Sequence, residues 1–247
     1  MGKSINSDQK CPNYRSLLTR ANIRGARTAF TLIEVMAVIA ILAVLVSVSL
    51  LGVREIKIRA LNTKCVANLR SIGLAIGCYA ADHGGQVPGP CYGSIPATYS
   101  NALNGPYVLT VYLTGYLDAA PQENSLPHFC PAMLCPAFDY KDTLIESQWD
   151  KARSYELVYQ LSGVALPGGE VPSPWGRPQT PGLNMNTRPM KLMTIAELVN
   201  PATTWAVKDA DASTSGGVGL SPEPVHGGHW NRLYFDFHVA ATSGGLP

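Results

Sequence analysis

From Val35 to Val53 the chain carries no charge, and only Ser47, Ser49 and Gly52 interrupt its apolar residues. At about 1.5 Å of rise per residue, a helix of roughly 20 such residues crosses the ~30 Å hydrocarbon core of a bilayer. From Arg54 the pattern changes. Ile58, Leu61, Cys65, Leu69, Ile72, Ile76 and Tyr79 recur at spacings of three and four, with Lys57, Arg59, Lys64, Asn68, Arg70 and Ser71 between them. That period predicts a continuing helix with one apolar stripe. Gly73 and Gly77 lie between stripe positions, where each costs up to about 1 kcal/mol unless close packing needs the missing side chain. His83-Gly84-Gly85 followed by Val87-Pro88 ends the helix. The expectation is one helix over residues 30–84, with 30–53 in the membrane.

Residues 85–247 read as a β-rich globular domain built from short elements. Pro and Gly recur to about Pro136, and Tyr107–Leu113 fits a strand or a short helix equally well. Ser154–Leu161 alternates as a half-buried strand does, Leu166–Pro181 reads as an exposed loop, and Met193–Leu198 as a short connector. Thr203–Asp209 and Arg232–Val239 read as two further strands. One long helix, then short strands without βαβ alternation, predicts an α+β fold: the helix packed on a small antiparallel β-sheet.

Charge changes this picture at the front of the chain. Only 15% of residues are charged and the formal net charge is +2, so no nucleic-acid partner is expected. Lys3, Lys10, Arg15, Arg20, Arg24 and Arg27 precede the apolar run, opposed by Asp8 alone. By the positive-inside rule that end stays in the cytoplasm and the bulk of the chain is exported. A secretory signal would also look basic then apolar, with Val46-Ser47-Val48-Ser49 as a poor small-residue cleavage site. Glu34 is the oddity, a carboxylate just inside the apolar segment, where an ionised side chain costs roughly 2.5–3.5 kcal/mol on insertion scales. It either stays hydrated at headgroup level or has a partner.

Arg27-Thr-Ala-Phe-Thr-Leu-Ile-Glu-Val-Met36 resembles the N-terminal motif of type IV prepilins and pseudopilins. The resemblance implies cutting between Ala29 and Phe30 by a membrane peptidase that also methylates the new amino terminus, with Glu34 as fifth mature residue. The family usually has Gly where this chain has Ala29. Cys65 to Pro88 is similar to the helix end of a large group of pseudopilin-like proteins. His226-Gly-Gly-His-Trp-Asn-Arg-Leu-Tyr-Phe-Asp236 resembles the His-x9-Asp-Gly signature of that group, with Phe237 in place of Gly; this departure suggests an altered or longer hairpin. The implied role is a structural subunit, not an enzyme, of a type II secretion or type IV pilus-like filament. Its implied partners are the prepilin peptidase, other pilin or pseudopilin subunits and the inner membrane. The C-terminal domain would be periplasmic, and Glu34 would be an assembly contact.

Further chemistry is sparse. His226 and Asp236 are candidates for an acid–base pair or, with His229, His238 and His128, for metal ligands. Alternatively they hydrogen-bond across the Gly-rich turn and fix the last strand against the helix. Asp209, Asp211 and Ser213 alternate like calcium-loop ligands, but Thr214 and Leu220 stand where an EF-hand needs Gly and Glu. No other cofactor is expected. Among six cysteines, Cys130 and Cys135 are the expected local disulfide, with Cys91 as a competing partner for either; Cys65 reads as a small core residue. There is no nucleophile elbow, phosphate-binding Gly loop or HExxH sequence. The alternative class is a membrane-anchored periplasmic carbohydrate-binding or hydrolytic protein, with Trp149, Trp175, Trp205 and Trp230 lining its site. A receptor-like surface protein is a third.

Overall fold

The computed structural model describes residues 30–100, 105–121, 126–178 and 187–243. Residues 1–29, with the expected leader and Ala29, lie outside that set. The chain divides into two compact units, Met1–Ser49 and Leu50–Pro247.

In the first unit, helix α1 (Leu32–Asp82) begins. Leu32–Ser49 has a mean hydropathy of 2.7, is long and apolar enough to cross a membrane, and has no buried residue. Ser47 and Ser49 donate their hydroxyls to the carbonyls of Ala43 and Leu45, at 2.7 and 2.8 Å. Both hydroxyls are thereby satisfied within the helix, as hydrocarbon surroundings require.

In the second unit, the stripe of α1 enters the core. Cys65, Leu69, Ile72, Ile76 and Ala80 are buried, whereas Ile58 of the expected stripe is exposed. The helix stops as predicted. Gly84 takes φ 63° and Gly85 donates to the carbonyl of Ala80 at 2.7 Å, the Schellman arrangement that only a left-handed residue permits cheaply.

The following elements are β1 (Ser94–Ile95), β2 (Thr98–Tyr99), α2 (Leu109–Leu113), β3 (His128–Phe129), α3 (Tyr140–Thr143), β4 (Tyr155–Leu157), α4 (Leu192–Leu198), β5 (Trp205–Asp209), β6 (His229–Tyr234) and β7 (Val239–Ser243). Five strands form an antiparallel sheet in the order β1-β4-β5-β6-β7, and β2 pairs with β3 separately. The architecture is α+β, consistent with a pilin-like arrangement. Leu157, Val207 and Leu233 are cross-strand neighbours and all buried, as are Tyr155 and Asp209.

Two expectations change. Leu166–Pro181 is not wholly an exposed loop: Ser173, Trp175 and Arg177 are buried, and Trp175 stacks on Phe235 with ring centroids 5.9 Å apart. Arg232–Val239 is not one strand: Arg232–Tyr234 end β6, Val239 begins β7, and the hairpin turn between them is closed by Phe237 N–H donating to Tyr234 O at 2.9 Å.

Phe237 turns that hairpin with φ 68°, the conformation a glycine would supply, at a cost of about 1–2 kcal/mol for any other residue. The hairpin is therefore not lengthened by the departure from Gly. Its ring lies over α1: a Cβ added at Gly77 would sit 3.5 Å from it, and one at Gly73 would sit 2.8 Å from Leu233 and 3.6 Å from the ring. The two glycines form a shelf for the hairpin. Phe237→Ala, which removes the ring but keeps the left-handed strain, is expected to destabilise by about 1 kcal/mol more than Phe237→Gly in chemical denaturation. The reverse order would contradict the strained turn.

Candidate functional site

Two places gather chemistry, one in each unit. At the start of α1, Thr31 and Glu34 cap each other. Thr31 N–H and Oγ1 both donate to Glu34 Oε2 at 2.9 Å, and Glu34 N–H donates to Thr31 Oγ1 at 3.3 Å. This is the reciprocal Thr-x-x-Glu capping box, which satisfies helix-start donors that have no carbonyl to bond. The local spacing was a readable signal for it. Glu34 thus has a partner within its own chain, and Phe30 beside it is 83% exposed.

The second place is the contact of α1 with the sheet. Asn231 sits opposite Asp209 across β5 and β6. Its backbone N–H donates to Asp209 Oδ2 at 2.7 Å, and its side-chain amide donates to Asn62 Oδ1 on α1 at 2.9 Å. His226 Nε2 lies 3.6 Å from Asp209 Oδ2 and 3.2 Å from Cys135 Sγ. Cys135 is bonded to Cys65, with Cα atoms 5.1 Å apart. Asn231, Asp209, His226, Cys135 and Cys65 are all essentially inaccessible to solvent.

The structure corrects the expected disulfide. Cys135 bridges to Cys65 on the helix, while Cys130 and Cys91 are free and buried. A 3-10 turn at Pro131–Met133 separates Cys130 from Cys135, and Ser154 Oγ accepts from the N–H of Cys135. Cys91 is fixed elsewhere, its carbonyl accepting from Arg177 at 3.0 Å. Burial holds the thiols of Cys91 and Cys130 above their ordinary pKa, which keeps them protonated and unreactive.

His226 and Asp236 are not brought together. His226 precedes β6, Asp236 lies in the turn after it, and a six-residue strand separates such positions by about 20 Å. Asp236 Oδ1 instead meets His238 Nδ1 at 2.6 Å, a half-exposed local pair. Slight desolvation acts to raise the Asp236 pKa, and the His238 hydrogen bonds outweigh it and lower it. Of the other expected histidines, His229 stacks on His226 at 5.6 Å between centroids, and His128 packs near Tyr99. The calcium candidates diverge too. Asp211 Oδ1 accepts from the N–H groups of Ser213 and Thr214 at 2.8 and 3.2 Å, and its Oδ2 from Trp230 Nε1 at 2.5 Å. Both oxygens are engaged in pinning a turn, while Asp209 faces Asn231 and His226.

Burial disfavours charge on both members of the buried pair: it pushes Asp209 up to about 7 and His226 down to about 4. The lowered histidine contributes stability that is complete above its ordinary 6.5 and lost as pH falls through 4. The raised aspartate contributes stability complete below 3.8 and lost as pH rises through 7. The two slopes oppose each other between those limits. Asp209→Asn is expected to unmask the histidine, so that stability falls on the order of 3 kcal/mol between pH 6.5 and 4. Thermal melts across that range check this, with wild type the flatter.

The four tryptophans do not share a site. Trp175 is buried, Trp230 pins Asp211, Trp149 donates to Leu144 O at 3.1 Å, and Trp205 lines a cleft. That cleft holds about 470 Å³ beside Arg153, Glu156, Tyr159 and Gln160.

Residues 24–50 match the family model described as the prokaryotic N-terminal methylation motif. No curated protein and no solved structure matches the chain. The chain therefore carries a prepilin-type N-terminal motif over its first apolar helix, the mark of a membrane-anchored, pilin-like precursor.

Proposed function

We propose that this chain is a structural pseudopilin or pilin-like subunit, cut before Phe30 by prepilin peptidase, methylated there, and assembled into a type II secretion or type IV pilus-like filament. The observation that carries the reading is the matched motif at the head of a helix whose apolar side chains are uncovered on every side from Phe30 to Val48. Such a surface is stable in lipid and, once drawn out, must be covered by copies of itself. The basic residues ahead of it orient the N-terminus to the cytoplasm and the second unit to the periplasm. Glu34 of one subunit would meet the α-amino group of Phe30 on its neighbour, neutralising two charges in a medium of low dielectric and setting axial register.

Mass analysis of the mature protein tests this directly. The expected N-terminus is methylated Phe30. A retained leader, or a start after Ser49, would overturn the reading. The Trp205 cleft supports a second reading, a tethered carbohydrate-binding protein, to which that retained leader would point.

A further inference from the structure

We propose that Cys65, Cys135, His226 and Asp209 form a zinc site in the dithiol form of this chain. The two sulfurs and a ring nitrogen of His226 all lie within 4.8 Å of one another, the one such group of three metal-ligating residues among the described residues. Tetrahedral zinc, with bonds of about 2.3 Å to sulfur and 2.0–2.2 Å to nitrogen or oxygen, separates its ligand atoms by roughly 3.3–3.8 Å. His226 Nε2 already stands 3.2 Å from Cys135 Sγ and 3.6 Å from Asp209 Oδ2. The ligand set would be two thiolates, one imidazole and one carboxylate, a donor mixture that suits zinc and not calcium or magnesium.

An independent observation points the same way. Asp209 Oδ1 and His226 Nδ1 are buried without a hydrogen-bond partner among the described residues, an arrangement that is costly for a folded interior. The protein therefore keeps an imidazole in its interior with Nε2 against Cys135 Sγ, and a carboxylate behind it 3.6 Å from the same nitrogen, with incomplete hydrogen bonding. A divalent cation bound through Nε2 and a carboxylate oxygen of Asp209 would compensate the buried negative charge. Cys65 comes from α1, Cys135 from the segment after β3, Asp209 from β5 and His226 from the loop before β6, so the metal would join the same parts that the disulfide joins.

The two states exclude each other because they use the same sulfur atoms. A phosphine reductant breaks the Cys65–Cys135 bond, taking up an oxygen from water as it becomes the phosphine oxide and leaving two thiols. Zinc then displaces one proton from each thiol to solvent, and the sulfurs bind as thiolates. Cα atoms 5.1 Å apart leave room for the sulfurs to separate by a change of side-chain torsion.

The test uses the full-length chain in detergent, reduced with a phosphine without oxygen and titrated with Co²⁺ as a spectroscopic stand-in. The expected result is one equivalent bound, with tetrahedral visible bands and thiolate charge transfer, both abolished by one equivalent of Zn²⁺ and both absent from the oxidised chain. His226→Gln, purified with its disulfide intact and then reduced, should shift the visible bands, retain the charge transfer and bind at least tenfold more weakly. A reduced wild-type chain without tetrahedral bands overturns the proposal. So do bands that survive in Cys65→Ser/Cys135→Ser, which would come from other cysteines, or bands unchanged in His226→Gln.

Discussion

Glu34→Gln is expected to abolish filament assembly while leaving membrane insertion and the start of the helix intact. The substitution separates two functions of one side chain. Glutamine at this position still accepts from Thr31 N–H, so the reciprocal cap seen in the structure is retained. What is lost is the negative charge. Opposite charges about 4 Å apart at an effective dielectric near 20 attract by on the order of 4 kcal/mol, which corresponds to about a thousandfold in an association constant. Glu34→Ala would also forfeit the cap, worth about 1 kcal/mol, and so cannot distinguish the two contributions alone. Immunoblots of sheared filaments against the membrane fraction provide the readout. Should Glu34→Gln assemble normally while Glu34→Ala fails, the cap and not a charge contact between subunits is what assembly requires.

The second large effect is expected from Cys65→Ser/Cys135→Ser. The bridge closes a loop of sequence separation 70, for which the chain-entropy relation gives about 4 kcal/mol of stabilisation. For a globular unit of this size, each kcal/mol shifts the melting midpoint by about 2–4 °C, so the double variant should melt roughly 8–16 °C lower under non-oxidising, metal-free conditions. Serine at both positions also leaves hydroxyls beside His226, in a pocket where unsatisfied polar atoms already accumulate. A midpoint within two degrees of wild type would show that the bridge does not hold the helix. Cys130→Ser serves as the comparison, since that residue has no bridge to lose.

How much of this was legible in the sequence depended on whether the cause was local. The spacing of Cys65, Leu69, Ile72 and Ile76 and the Gly84-Gly85 stop define the buried half of α1 because both act within a few residues. β5 was readable for the same reason. The turn at Phe237 was not, because phenylalanine is a poor turn residue; what makes it tolerable is a pair of glycines more than 150 positions earlier. Burial of the Trp175 segment was hidden by its Pro and Gly content, which reads as surface until Phe235 is seen to stack on it. The pairing of Cys135 with Cys65, and of His226 with Asp209, crosses 70 and 17 positions of chain. No periodicity carries such information. The resemblance to a His-x9-Asp-Gly signature suggested His226 and Asp236 as a pair, and instead each residue has a different partner. The capping box, by contrast, is fully local, since Thr31-Leu-Ile-Glu34 carries its whole signature within one helical turn.

The contacts that seat the last hairpin on the helix also set a timetable for biosynthesis. Asn62 and Asn231, which hydrogen-bond across that interface, are 169 positions apart. At about 5–20 residues per second, the ribosome takes on the order of ten to thirty seconds to make that interval. Throughout it, the glycine shelf and the lower stripe of α1 exist without β6 and β7 to cover them. Until the final strands arrive, that apolar surface has no cover from its own chain, the condition under which nascent chains associate wrongly.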